Sequence, residues 1–163
     1  MRLFFLRHAD ANVGGRTSDS ERALSSSGIE DAAAVANAFR LMKLTFTVVL
    51  SSPLERAKQT AEIATRQFPS VKIQTLEHLL SNSDPENLFR ELQSFSRDSR
   101  VLIVSHEPFV SRCIASLISA GSEPKISIKK AALSCVEVGL PVQRGAGVLL
   151  WLITSEQMRL MRI

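Results

Sequence analysis

Two histidines and two arginines stand where buried segments of this sequence end. The apolar run Leu3 to Leu6 stops on Arg7-His8. A second run, Val101 to Val104, stops on Ser105-His106-Glu107-Pro108. Between them a β-branched run from Phe46 leads through Ser51-Ser52 to Glu55-Arg56 and then Thr60. A polar residue at a strand end is ordinarily just the exit to solvent. Here three such exits carry complementary groups. Guanidinium forks match phosphate oxygens and stay charged. A neutral imidazole is a nucleophile toward phosphorus, and nearby guanidinium charge keeps it unprotonated. A second histidine can donate to oxygens that gain charge during transfer. The sequence has no Walker-type glycine loop and no carboxylate cluster suited to magnesium. The chemistry these residues suit is metal-free phosphoryl transfer through a phosphohistidine, with no cofactor. Arg22, in an early polar loop, is within reach of the same place. His78 has no such company and reads as a surface residue.

The elements that must position these groups follow from pattern. Arg2 to Leu6 reads as a buried strand, and Asn12 to Ser27 as a surface loop. Gly28 to Met42 has helical periodicity, with Ile29, Ala33, Ala36 and Phe39 on one side. Phe46 to Leu50 is a strand, Pro53 to Phe68 a helix with proline in its first turn, and Val71 to Thr75 a short strand. A helix starts at Asp84-Pro85-Glu86 and runs to about Ser96. After the strand at Val101, a helix covers Phe109 to Ser119, two strands follow at Leu133 to Leu140 and Gly147 to Thr154, and Gln157 to Ile163 is a final strand or tail. Strands alternating with helices predict an α/β fold, a three-layer αβα sandwich with a mainly parallel central sheet and an antiparallel edge, in a single domain spanning 1–163. In such sheets ligands bind at the carboxyl ends of the strands, which is where Arg7, His8, Arg56 and His106 arrive.

Composition narrows the partners. With 163 residues, 45% hydrophobic and 22% charged, the chain has the balance of a soluble globular protein. No stretch is apolar enough to span a bilayer, and the N-terminus lacks a signal-peptide pattern, so a cytoplasmic location without membrane association is expected. The net charge of +4 is spread without a basic block, which argues against nucleic acid and fits a small anionic group held by a few arginines. Cys113 and Cys135 sit in apolar segments without metal-ligand spacing and read as small core residues.

These motifs resemble those of the histidine phosphatase (phosphoglycerate mutase-like) superfamily. Arg7-His8-Ala9 resembles its Arg-His-Gly signature, with Ala9 in the usual glycine position. Ser51-Ser52-Pro53-Leu54-Glu55-Arg56 resembles its second motif, and Ser105-His106-Glu107-Pro108 its third. The stretch from Ser18 to Ser25 and the compact length resemble the phosphohistidine phosphatases of that family. The resemblance implies that His8 is the nucleophile, that Arg7, Arg56 and His106 hold the phosphoryl group, and that Arg22 assists. It implies a general acid too, and two carboxylates compete: Glu77 in Leu76-Glu77-His78-Leu79, and Asp19. Asp10 reads instead as a residue that orients its loop or faces solvent. An alkoxide needs a proton to leave, whereas imidazole, with a pKa near 6.5, needs far less help. A site with no well-placed acid favours phosphohistidine or activated aryl phosphates. The expected function is removal of phosphate from phosphohistidine in a protein such as a histidine phosphotransfer domain of a signalling relay. The alternatives are a small-molecule phosphomonoesterase of the same chemistry and a non-catalytic phosphate-binding module.

Overall fold

The structure is a computed structural model and describes residues 1–13, 18–121 and 125–161. Residues 14–17 of the expected polar loop and 162–163 of the expected tail lie outside the described residues. The strands are β1 (Arg2–Arg7), β2 (Val48–Ser51), β3 (Ile73–Thr75), β4 (Arg100–Ser105), β5 (Leu133–Glu137) and β6 (Val148–Ile153). The helices are α1 (Ser26–Leu41), α2 (Glu55–Thr65), α3 (Pro85–Leu92), α4 (Phe109–Ile118) and α5 (Ser155–Arg159), with 3₁₀ turns at Asp19–Glu21 and Glu77–Leu79.

The strands form one sheet in the order β3-β2-β4-β1-β5-β6. Four of them are parallel, and β5 and β6 add the antiparallel edge. Strand side chains alternate between faces, so a run buried on both sides must be apolar throughout. In β1, Leu3 and Phe5 enter one core with α3 and α4, while Phe4 and Leu6 enter the other with α1 and α2. In β4, Val101 and Ile103 join the first core and Leu102 and Val104 the second. This double burial makes β1 and β4 the rigid centre of the sheet. Their register pairs Arg7 with Ser105, and Ser51 of β2 pairs with Val104. His8, Ser52 and His106, each one residue further, therefore leave the sheet side by side.

Four expectations are corrected. The inner face of α1 keeps Ala36 and Phe39 of the expected four but not Ile29 and Ala33. It carries Gly28, Ala32, Val35, Ala36, Ala38 and Phe39, and Ile29 is 50% exposed. The cause is close approach at Gly28, where a Cβ would stand 2.0 Å from the backbone oxygen of Asp10. Turning residue 28 inward rotates residue 29 out. The C-terminal segment holds a short helix, α5, where a strand or tail was expected: Thr154 caps it, with Gln157 completing a capping box, and Met158 packs into the core under α1. Finally, α2 starts at Glu55 rather than Pro53 and α3 ends at Leu92.

Candidate active site

The backbone of His8 is held from two sides. Its N–H donates to Ser105 O at 2.9 Å, and its carbonyl accepts from Ala131 N at 3.2 Å. Its ring Nδ1 lies 2.7 Å from Ala9 O. A carbonyl only accepts, so Nδ1 is the donor and Nε2 keeps its lone pair. The Ala9 peptide is fixed in turn, because its N–H donates to Thr60 Oγ1 at 3.0 Å and the Thr60 hydroxyl donates to Arg56 O at 2.6 Å. One buried threonine thus ties the exit of β1 to helix α2. His8 is 8% exposed. Burial, followed by the charges of Arg56, Arg7 and Lys130, lowers its pKa to about 4 against the opposing pull of the Ala9 carbonyl. At neutral pH His8 is an uncharged imidazole with a free Nε2.

His106 leaves β4 beside it. The two ring centroids are 4.9 Å apart with planes at 53°. His106 Nε2 lies 2.7 Å from Ser52 Oγ, while its Nδ1 is buried without a hydrogen-bond partner among the described residues. Burial first, then the neighbouring His8 and the Arg56 charge, bring its pKa to about 3.

The arginines frame the pair. Arg7 Nη1 donates to Ile128 O at 2.7 Å, and its Nε is buried without a hydrogen-bond partner among the described residues. Arg56 is buried on the first turn of α2 and donates through Nη1 to Asp19 O at 2.7 Å and through Nη2 to Asp19 Oδ2 at 3.1 Å. Arg22 donates to Asp19 Oδ1 at 2.9 Å and to Asn12 O at 2.8 Å. Asp19 therefore bridges the two guanidinium groups. Arg22, with Arg56 after it, holds its carboxyl below the ordinary aspartate value, so it is ionised at neutral pH.

The other carboxylates behave differently. Glu77 is exposed, and its carboxylate has no hydrogen-bond or ion-pair partner among the described residues. Asp10 accepts from Lys130 Nζ at 2.5 Å and from Ser25 Oγ at 2.6 Å, which ties the loop after β1 to the start of α1 and to the segment before β5. His78, expected at the surface, is half-buried beside Asn87 and Arg90, with Nε2 enclosed and without a hydrogen-bond partner among the described residues.

The structure brings Arg7, His8, Arg56 and His106 to one mouth of the sheet, joins Arg22 to them through Asp19, and gives Glu77 no hydrogen bond or ion pair to any of them. Sequence reasoning missed the orienting parts of Ser52 and Thr60, although both lie inside the stretch that carries Arg56. It also missed Lys130, which no local pattern marks. Among the described residues no group of three or more His, Cys, Asp or Glu is placed to hold a metal ion, and no helix is long and apolar enough to cross a membrane.

Comparison with known proteins gives consistent findings. The sequence profile of the Histidine phosphatase superfamily (branch 1) matches residues 3–80. The chain is 31% identical over 128 residues to phosphohistidine phosphatase SixA of Escherichia coli K12, covering 76% of this chain and 78% of that one. A solved structure of the protein histidine phosphatase SixA complexed with tungstate superposes with a TM-score of 0.83 at 28% identity, covering 95% of this chain and 97% of that one. The alpha-ribazole phosphatase of Shigella flexneri has the same fold, with a TM-score of 0.78 at 19% identity over 95% of this chain and 97% of that one.

Proposed function

We propose, since this chain belongs to the histidine phosphatase superfamily, that it is a metal-independent phosphatase that works through a covalent phosphohistidine on His8 and removes phosphate from phosphohistidine in a protein. The observation that carries this reading is the state of His8: an uncharged, buried imidazole whose Nδ1 is committed to Ala9 O, so that Nε2 is the nucleophilic atom. In the first step Nε2 attacks phosphorus, the bond from phosphorus to the leaving group breaks, and the leaving group departs with the bonding pair. Arg7, Arg56 and His106 hold the phosphoryl oxygens, with Arg22 assisting from the rim. In the second step water attacks phosphorus, the bond to Nε2 breaks, phosphate leaves, and the ring regains its lone pair.

The substrate class follows from proton supply. Asp19 is ionised and spans two guanidinium groups, and Glu77 is exposed with no hydrogen-bond or ion-pair partner among the described residues to fix its position. Neither is a ready acid. Imidazole, with a pKa near 6.5, leaves with little protonation, whereas an alkoxide does not. A histidine phosphotransfer domain is the partner this chemistry suits. The likeness to SixA, a phosphohistidine phosphatase that has been captured with the oxyanion tungstate, supports the same reading.

Rapid-quench labelling with a phosphohistidine protein should trap an acid-labile phosphoenzyme that is lost in His8→Ala and unaffected by EDTA. Turnover that survives in His8→Ala would overturn the mechanism. Faster turnover of sugar or nucleotide phosphates than of phosphohistidine would make the protein a small-molecule phosphatase, and phosphate binding without turnover on any activated phosphate would make it a binding module.

A further inference from the structure

The carboxylate of Asp19 occupies an unusual place. Its main-chain oxygen and Oδ2 take one donor each from the two terminal nitrogens of Arg56, and Oδ1 takes one from Arg22. The Arg56 side chain is 10% exposed and that of Asp19 65% exposed. The ion pair thus runs outward from the buried phosphate cradle to the open rim.

Displacement at phosphorus places the attacking and leaving atoms roughly in line. His8 is the buried floor of the site, so the leaving group must point outward, toward the rim where Asp19 stands. The grip of Arg56 on both the main chain and the carboxylate keeps Asp19 from swinging aside, and Arg22 holds it from the other side. When a phosphoryl group engages the free donors of the arginines, their charge is shared with it. The charge of Asp19 then lies beside the departing portion of the substrate.

We infer that Asp19 is a specificity-determining residue that rejects phosphorylated compounds whose leaving portion carries its own negative charge, and admits the neutral or cationic imidazole of a phosphorylated histidine. The inference deepens the reading of this site as a phosphohistidine phosphatase and rests on it. For a ligand carboxylate taken at about 7 Å from the largely exposed Asp19 carboxylate, an effective dielectric between about 40 and the 80 of bulk water gives a repulsion that changes binding roughly three- to eightfold.

A matched pair of non-hydrolysable ligands isolates the effect: phenylphosphonate, and 4-carboxyphenylphosphonate, which differs by one carboxylate. Calorimetric Kd values are compared between wild type and Asp19→Asn. The wild type should prefer phenylphosphonate, and Asp19→Asn should reduce that preference about three- to eightfold, while Asp19→Glu retains it. In the wild type alone the preference should shrink as ionic strength rises from about 0.01 M to 1 M, where the Debye length falls from about 30 Å to about 3 Å; this arm needs no variant to fold. An equal Kd ratio in wild type and Asp19→Asn, or a preference independent of salt, would overturn the inference. Because these ligands are not turned over, such a failure is separate from failure of the phosphoenzyme reading, which is read by labelling of His8. Absence of binding by both phosphonates would overturn the oxyanion cradle and the inference together.

Discussion

Acidification from about pH 7.5 to about pH 5 should destabilise this protein through its two site histidines. An unfolded histidine titrates near 6.5. In the fold burial leads the causes that lower His8 to about 4 and His106 to about 3. Between these values the unfolded chain binds protons that the folded chain does not, so stability is fully present above the unfolded pKa and falls as pH drops from 6.5 toward the folded values. At pH 5 each histidine accounts for a loss of roughly 2 kcal/mol, and the pair for about 4 as a ceiling. Both are nearly enclosed, at 8% and 2% exposed, so solvent screens little of this effect. A domain of this size is stable by only about 5–15 kcal/mol, so the change is large. The assay is urea unfolding at both pH values for wild type and the double variant His8→Asn/His106→Asn, which cannot titrate there. The carboxylates of Asp10 and Asp19, held below their ordinary values by Lys130 and Arg22 respectively, titrate below this window and cancel in the comparison. Wild type should lose roughly 2–4 kcal/mol more than the variant. Equal losses in the two proteins, or ring-proton NMR titrations of His8 and His106 centred near 6.5, would refute the claim that this site holds both imidazoles neutral.

Thr60→Val removes the acceptor of the Ala9 N–H, inside the core. It should cost about 1–3 kcal/mol by chemical denaturation and slow phosphoenzyme formation, because the Ala9 carbonyl orients His8; Thr60→Ser should restore both. Gly28→Ala would gain about 1 kcal/mol of helix propensity but puts a methyl group 2.0 Å from Asp10 O. The clash should win, with a net loss of about 1–3 kcal/mol in thermal unfolding. Arg56→Lys keeps the charge and loses the planar fork that meets Asp19 and the phosphoryl oxygens. Steady-state kinetics should show kcat/KM down by about 10²–10³.

Much of this molecule is determined by sequence alone, for physical reasons. The runs at Leu3 and Val101 are apolar on every residue, which only a strand buried on both faces tolerates, so the central parallel pair and the emergence of His8 and His106 at its end were legible. Helix α3 was legible from Asp84 and Pro85, which cap and start it. The face of α1 was not, because its rotation is decided by a contact between Gly28 and the backbone of Asp10 from a different element. Nor was α5, since the Thr154–Gln157 capping box is a local signal too short to stand for a five-residue helix without Met158 packed under α1.

The site divides in the same way. Which residues carry the chemistry follows from side-chain type, and their arrival at one end of the sheet follows from strand order. What state they are in is a tertiary matter. The pKa of His8 is set mainly by enclosure, and the tautomer by where the Ala9 carbonyl points, on a residue whose N–H is held by Thr60, 51 positions later. Asp19 illustrates the point. In sequence it is a loop carboxylate as suited to giving a proton as to facing water. Only the fold sets Arg22 and Arg56 on either side of it, and two fixed guanidinium charges keep it ionised.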